Sequence, residues 1–127
     1  MPETSTFEYA IVRVVPRVER GEFVNAGVVL YCRAAGFLEA AIELDADRLR
    51  ALDPGVDLAL VRSHLESFTR ICRGGAGAGP IGELSQAERF RWLTAPRSTV
   101  LQTSEVHEGV CERPQDALER ALDTHVR

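Results

Sequence analysis

Apolar residues crowd the opening stretch of the chain, and they do so with the period of strands. Phe7–Val15 reads FEYAIVRVV, and from Ala10 it is apolar at both odd and even positions, the pattern of a central strand covered on both faces. Only Arg13 breaks it. Pro16 ends the run, and Arg17-Val18-Glu19-Arg20-Gly21 turns the chain into a second apolar run, which predicts an antiparallel hairpin. At about 3.3 Å per residue, Glu22 to Arg33 would span roughly 40 Å as one straight strand, about twice the usual length. An interruption is expected at Asn25-Ala26-Gly27, because glycine inside a β-rich run commonly marks a bulge or a close backbone approach. Ala34-Ala35-Gly36 makes the next turn. Phe37–Leu44 then alternates, with Leu38, Ala40, Ile42 and Leu44 on one side and Glu39 and Glu43 on the other, predicting a strand with one wet face.

From Asp45 the period lengthens. Asp45 is placed to cap a short helix, with Leu44 and Leu49 as the arms of a hydrophobic staple, and Asp53-Pro54-Gly55 stops it. Leu58, Val61, Leu65, Phe68 and Cys72 step by threes and fours, the mark of an amphipathic helix with one core face. That helix runs out into a flexible Gly-rich loop at 74–80. Ser85-Gln86-Ala87-Glu88 has the spacing of a capping box and predicts a helix carrying Phe90, Trp92 and Leu93, closed by Pro96. Ser98–Thr103 has strand character, and Pro114 opens a terminal helix with Leu118, Ala121 and Leu122 inward. This order predicts a single α+β domain over residues 1–127, a mostly antiparallel sheet of about four strands covered on one face by helices.

Composition narrows the function more than the fold. With 127 residues, 45% of them apolar and 27% charged, the chain suits a globular fold. No stretch has the apolar length of a membrane span, and the short acidic start Met1–Ser5 lacks the basic and apolar parts of a secretory signal, so a cytoplasmic protein is expected. A net charge of −4 argues against general nucleic-acid binding. All fifteen basic residues are arginine, which grips carboxylates and phosphates better than lysine does. Cys32, Cys72 and Cys111 form no CxxC pair, so neither a disulfide framework nor a zinc site is read. Cys32 and Cys72 are expected as small buried hydrophobes and Cys111 as exposed.

Candidate chemistry gathers in two places. Arg13, Arg17 and Arg20 flank the first turn, while Arg97-Ser98-Thr99 offers a guanidinium, hydroxyls and backbone N–H groups for a phosphate or carboxylate. The competing reading pairs these arginines with Glu19, Glu22 or backbone carbonyls and spends the hydroxyls on a strand start. Asn25, a polar amide amid Val24, Ala26 and Val28, either ties down the backbone at the kink or recognises a ligand. A common edge that joins the kinked strand to the Arg-Ser-Thr segment would make one binding surface of Arg13, Arg17, Arg20, Glu22, Asn25, Arg97, Ser98 and Thr99. The Gly-rich loop lacks the Gly-Lys-Ser/Thr of a phosphate-binding loop, and no cofactor motif is read. Glu105 and His107 share one side of an extended segment, a weak metal or acid–base signal, and Ser98 with His107 has no third member for hydrolysis. Trp92 reads as a core or interface anchor.

Three stretches carry a resemblance: YAIVRVVP from Tyr9 to Pro16, RGEFVNAGVVL from Arg20 to Leu30, and RWLTAPRSTV from Arg91 to Val100. On these the chain resembles the bacterial family catalogued as Domain of Unknown Function 3037, over nearly its whole length. The resemblance implies no activity. It does imply a partner role, since some members of that family are encoded beside a kinase resembling those of toxin–antitoxin pairs. The residues and the resemblance together lead to the expectation of a non-catalytic binding or partner module for a protein or a small anionic ligand. The alternative is an enzyme acting on a phosphorylated or carboxylated small molecule.

Overall fold

A strand apolar on both faces has to lie inside a sheet, and β1 (Ser5–Val14) does. In the computed structural model, which describes residues 3–127, β2 (Val24–Cys32) pairs antiparallel with one edge of β1, and β3 (Phe37–Ile42) pairs with β2. The other edge of β1 is shared end to end by β4 (Leu101–Thr103), opposite Val12–Val14, and β5 (His107–Cys111), opposite Ser5–Tyr9. Ser104 closes the seam between them. The Ile11 N–H donates to its Oγ at 2.8 Å, and its own N–H donates to the Ile11 carbonyl at 2.9 Å.

The kink expected in the second strand is a bulge. Val12 pairs with Gly27 and Arg13 with Asn25, which leaves Ala26 as the additional residue. Side-chain parity changes there. Val24 and Ala26 face one core before the bulge, whereas Val29 and Tyr31 face it afterwards, and Val28, Leu30 and Cys32 turn to the other side.

Helices α1 (Ala46–Leu52), α2 (Leu58–Arg73) and α3 (Gln86–Thr94) cover the first face. The Asp45 carboxylate accepts from the Asp47 and Arg48 N–H groups, Asp57 accepts from Leu60, and Ser85 with Glu88 forms the expected capping box. The α2 stripe buries Val61, Leu65, Phe68, Ile71 and Cys72.

The antiparallel α+β architecture is the one the pattern predicts, with five strands in place of about four. Helices cover both faces of the sheet, not one: α4 (Pro114–His125) lays Ala117, Leu118 and Leu122 over Ile11, Val28 and Leu30. Its cover is what the apolarity of β2 from Ala26 to Cys32, on both faces, requires. The chain gives little sign of β5, HEGVC, because its one small position, Gly109, is occupied by a neighbour: a Cβ there would lie 2.5 Å from Phe7 Cζ. The Gly-rich stretch folds into two 3-10 turns, Ala76–Ala78 and Pro80–Glu83, joined by a 2.9 Å bond from the Gly75 N–H to the Gly82 carbonyl. Among the described residues no helix is long and apolar enough to cross a membrane.

All three thiols are buried and free, Cys111 included, which corrects its expected exposure. It sits at the end of β5 in the core beneath α4, 4% exposed. Burial pushes the Cys72 thiol up to about 12. At pH 8 its thiolate is then present in about one molecule in ten thousand. An aromatic disulfide reagent is expected to leave the native thiols untouched over minutes and to titrate all three after denaturation. A rapidly reacting thiol in the folded protein would contradict this packing.

Candidate functional site

Where α3 stops, the chain builds the largest cleft described. Pro96 ends the helix, and the segment that follows crosses toward β4 past α2, leaving a space of about 570 Å³. Phe68 and Ile71 of α2, Leu93 of α3 and Leu101 of β4 give it an apolar floor. His64, Ser67, Arg97, Ser98 and Thr99 add polar groups to its lining, and Val18 reaches in from the first turn. No aspartate or glutamate lines it, in a chain that carries 19 of them.

Most of the polar groups foreseen from the sequence are already engaged. Arg97 closes the C-terminal end of α3: its guanidinium donates to the Trp92 carbonyl and, at 3.3 Å, to that of Ala95, with its Cζ 4.6 Å from the Trp92 ring centroid. Thr99 Oγ1 donates to the Leu101 carbonyl at 2.9 Å, and the Gln102 amide donates to the Thr99 carbonyl at 2.9 Å. Arg17 pairs with Glu19 at 3.4 Å. Arg20 pairs with Glu22, and its hydrogen bond and charge hold the Glu22 carboxyl below its ordinary value. These contacts match the competing reading of pairs and carbonyl caps. Ser98 stands apart. Among the described residues no hydrogen bond ties its hydroxyl down.

Arg13 and Asn25 occupy the other face of the sheet. Ala10, Val12 and Val14 point toward α2, so Arg13 points to the α4 side, as does its cross-strand partner Asn25. The Asn25 amide donates to the His125 carbonyl at 3.0 Å and ties the bulge to the end of α4. Its Oδ1 is buried without a partner, and so is Arg13 Nε. The Arg13 guanidinium lies 4.2 Å from the Phe23 ring centroid and makes no ion pair among the described residues.

The expected common surface is therefore divided between the two faces of one sheet end. The Val15 N–H donates to the Val100 carbonyl at 2.7 Å, so the kinked hairpin and the Arg-Ser-Thr segment do adjoin. Their side chains serve different sides. Glu105 is exposed, and His107 stacks on Tyr9 at 5.4 Å, away from Ser98. The imidazole at the cleft is that of His64. Its i, i+3 spacing with Ser67 beside the apolar stripe of α2 was the available signal, and nothing in that spacing names the segment from another part of the chain that faces it.

The fold and the cleft define an antiparallel α+β protein with a ligand-sized hollow beside the sheet. The chain belongs to the family described as Protein of unknown function (DUF3037), whose model matches residues 9–126. No curated protein and no solved structure matches it.

Proposed function

We propose that the chain is a non-catalytic binding module whose cleft takes a small ligand with an apolar body and an anionic head. One observation carries this reading: a hollow of about 570 Å³, within the usual range for ligand sites, that combines an apolar floor with Arg97, His64 and hydroxyls and excludes every carboxylate of an acidic chain. Ser98, with its hydroxyl unengaged, is the group placed to bind the head.

The test is a thermal-shift screen with aliphatic carboxylates, aromatic carboxylates and phosphate monoesters. A ligand at a hundredfold excess over its Kd stabilises by about 2.7 kcal/mol, a rise in Tm of about 8 °C for a chain of this size. Ser98→Glu, which places a carboxylate in the hollow, is expected to erase the rise. No rise across the three classes, or a rise that survives in Ser98→Glu, overturns the reading. Conversion of the stabilising compound, followed by NMR, would move the assignment to the alternative of an enzyme acting on that acid or phosphate.

A second reading, docking of a protein partner, draws on the exposed Val18 and Phe23 beside Arg17 and Arg20 on the first hairpin. The toxin-like kinase implied by the family resemblance belongs to this reading.

A further inference from the structure

An unpaired guanidinium that the fold half buries is a cost to the protein carrying it, since charge taken from water is repaid only by a partner. Arg13 is such a group. It is half buried, its Nε is sealed from solvent without an acceptor, and its guanidinium lies over the face of the Phe23 ring. Replacing it by an apolar side chain would suit the α4 face better, with Ile11 beside it on the same strand.

We infer that Arg13 and Phe23 form a docking spot for an acidic, partly apolar peptide segment of a protein partner, whose carboxylate pairs with the Arg13 guanidinium. This rests on the partner reading above and names the surface and the chemistry. The Nη groups of Arg13 are not among the sealed atoms, so they are the edge a carboxylate meets, and two parallel N–H bonds suit its planar pair of oxygens. Phe23, 44% exposed, supplies the apolar contact beside them. An aromatic residue adjoining an arginine is the composition of binding hot spots.

The neighbourhood selects among anions. Asn25 is the cross-strand partner of Arg13, and its Oδ1 is buried without a donor on the same face, a partial negative charge that opposes a doubly charged phosphate more than a single carboxylate. Arg17 and Arg20, the other cations of the hairpin, are already paired with Glu19 and Glu22, which leaves one free positive charge for one negative. Phe23 is exposed and Arg13 only half buried, so the spot is open to a chain lying across it.

Two measurements on the full chain test this. The first is thermal unfolding of Arg13→Met: with the uncompensated charge removed, the free protein is expected to melt a few degrees higher. A lower Tm would make Arg13 a contributor to the fold and overturn the inference. The second is selection of binders from a displayed library of random nine-residue peptides. The expected result is enrichment of Asp or Glu next to an apolar residue, with affinity at least about tenfold weaker for Arg13→Met and Phe23→Ala and partly retained in Arg13→Lys. Acidic peptides that bind Arg13→Met as tightly as the parent, or binders without acidic enrichment, overturn the inference and leave the partner reading standing. A library that yields no binder likewise overturns the inference, while the partner reading, which requires no linear segment, stands.

Discussion

Arg89→Met is expected to lower the unfolding free energy by about 3 kcal/mol and the melting temperature by about 10 °C. Arg89 is 8% exposed, and no carboxylate pairs with it among the described residues. Its guanidinium donates to backbone instead. Nη1 reaches the Ile71 and Cys72 carbonyls at 2.9 Å each, and Nε reaches the Leu84 carbonyl at 3.1 Å. Ile71 and Cys72 lie in the last turn of α2, whose carbonyls carry the negative end of the helix dipole, so the charge is balanced by peptide groups. Methionine fills much of the space and leaves two buried acceptors and one half-buried one without a donor, a loss that hydrophobic contact does not replace. Gly74 shows how closely the loop is fitted to this side chain: a Cβ there would lie 2.3 Å from Arg89 Nη1, at a backbone φ of +76°. Gly74→Ala is therefore expected to be destabilising by a comparable amount, and the double variant to lose much less than the sum. Urea unfolding of the four proteins measures this. Additive losses would show that the guanidinium does not organise the loop.

That arginine also marks the limit of sequence reading. Capping signals, the bulge at Asn25-Ala26-Gly27 and the stripe of α2 are local patterns, and each was found where its residues lie close together in the chain. Arg89 sits on a short helix three residues after its predicted N-terminus looking like any surface arginine, because its partners belong to other elements. The Gly-rich stretch read as flexible because nothing in its composition announces that its own N–H groups bond its own carbonyls, Gly75 to Gly82 and Ala78 to Gly75 among them. Ser104 and β5 were hidden likewise, since their roles depend on where β4 leaves β1 and on the Phe7 ring over Gly109.

For the candidate site the division is sharper. The sequence joined the candidate groups by proximity along strand ends, and a sheet has two faces. One residue of parity separates Val12, which faces α2, from Arg13, which faces away. The bulge changes that parity again in β2, so only the pairing of Arg13 with Asn25 assigns the amide to the guanidinium's side.

Gly27→Ala tests whether the bulge is closed as tightly as this requires, with an expected loss of about 3 kcal/mol. A Cβ at Gly27 would stand 2.5 Å from the Ala41 carbonyl oxygen and 2.7 Å from Ile42 Cδ1. Ile42 can change rotamer, but the carbonyl belongs to β3 itself, so the strand has to shift where Gly27 pairs with Ile42. The displacement would pass to the neighbouring bond from the Glu43 N–H to the Ala26 carbonyl, at 2.7 Å. Gly77→Ala provides the contrast: nothing lies within 4 Å of a Cβ there, and its φ is not positive. That substitution is expected to stay within about 0.5 kcal/mol of the parent, because it removes unfolded-chain entropy without meeting an obstacle. Denaturant midpoints for the two variants separate steric closure at the bulge from the general effect of losing a glycine. Equal midpoints would mean that β3 yields to a methyl group, and that the alignment of Arg13, Asn25 and the end of α4 does not depend on the fit at Gly27.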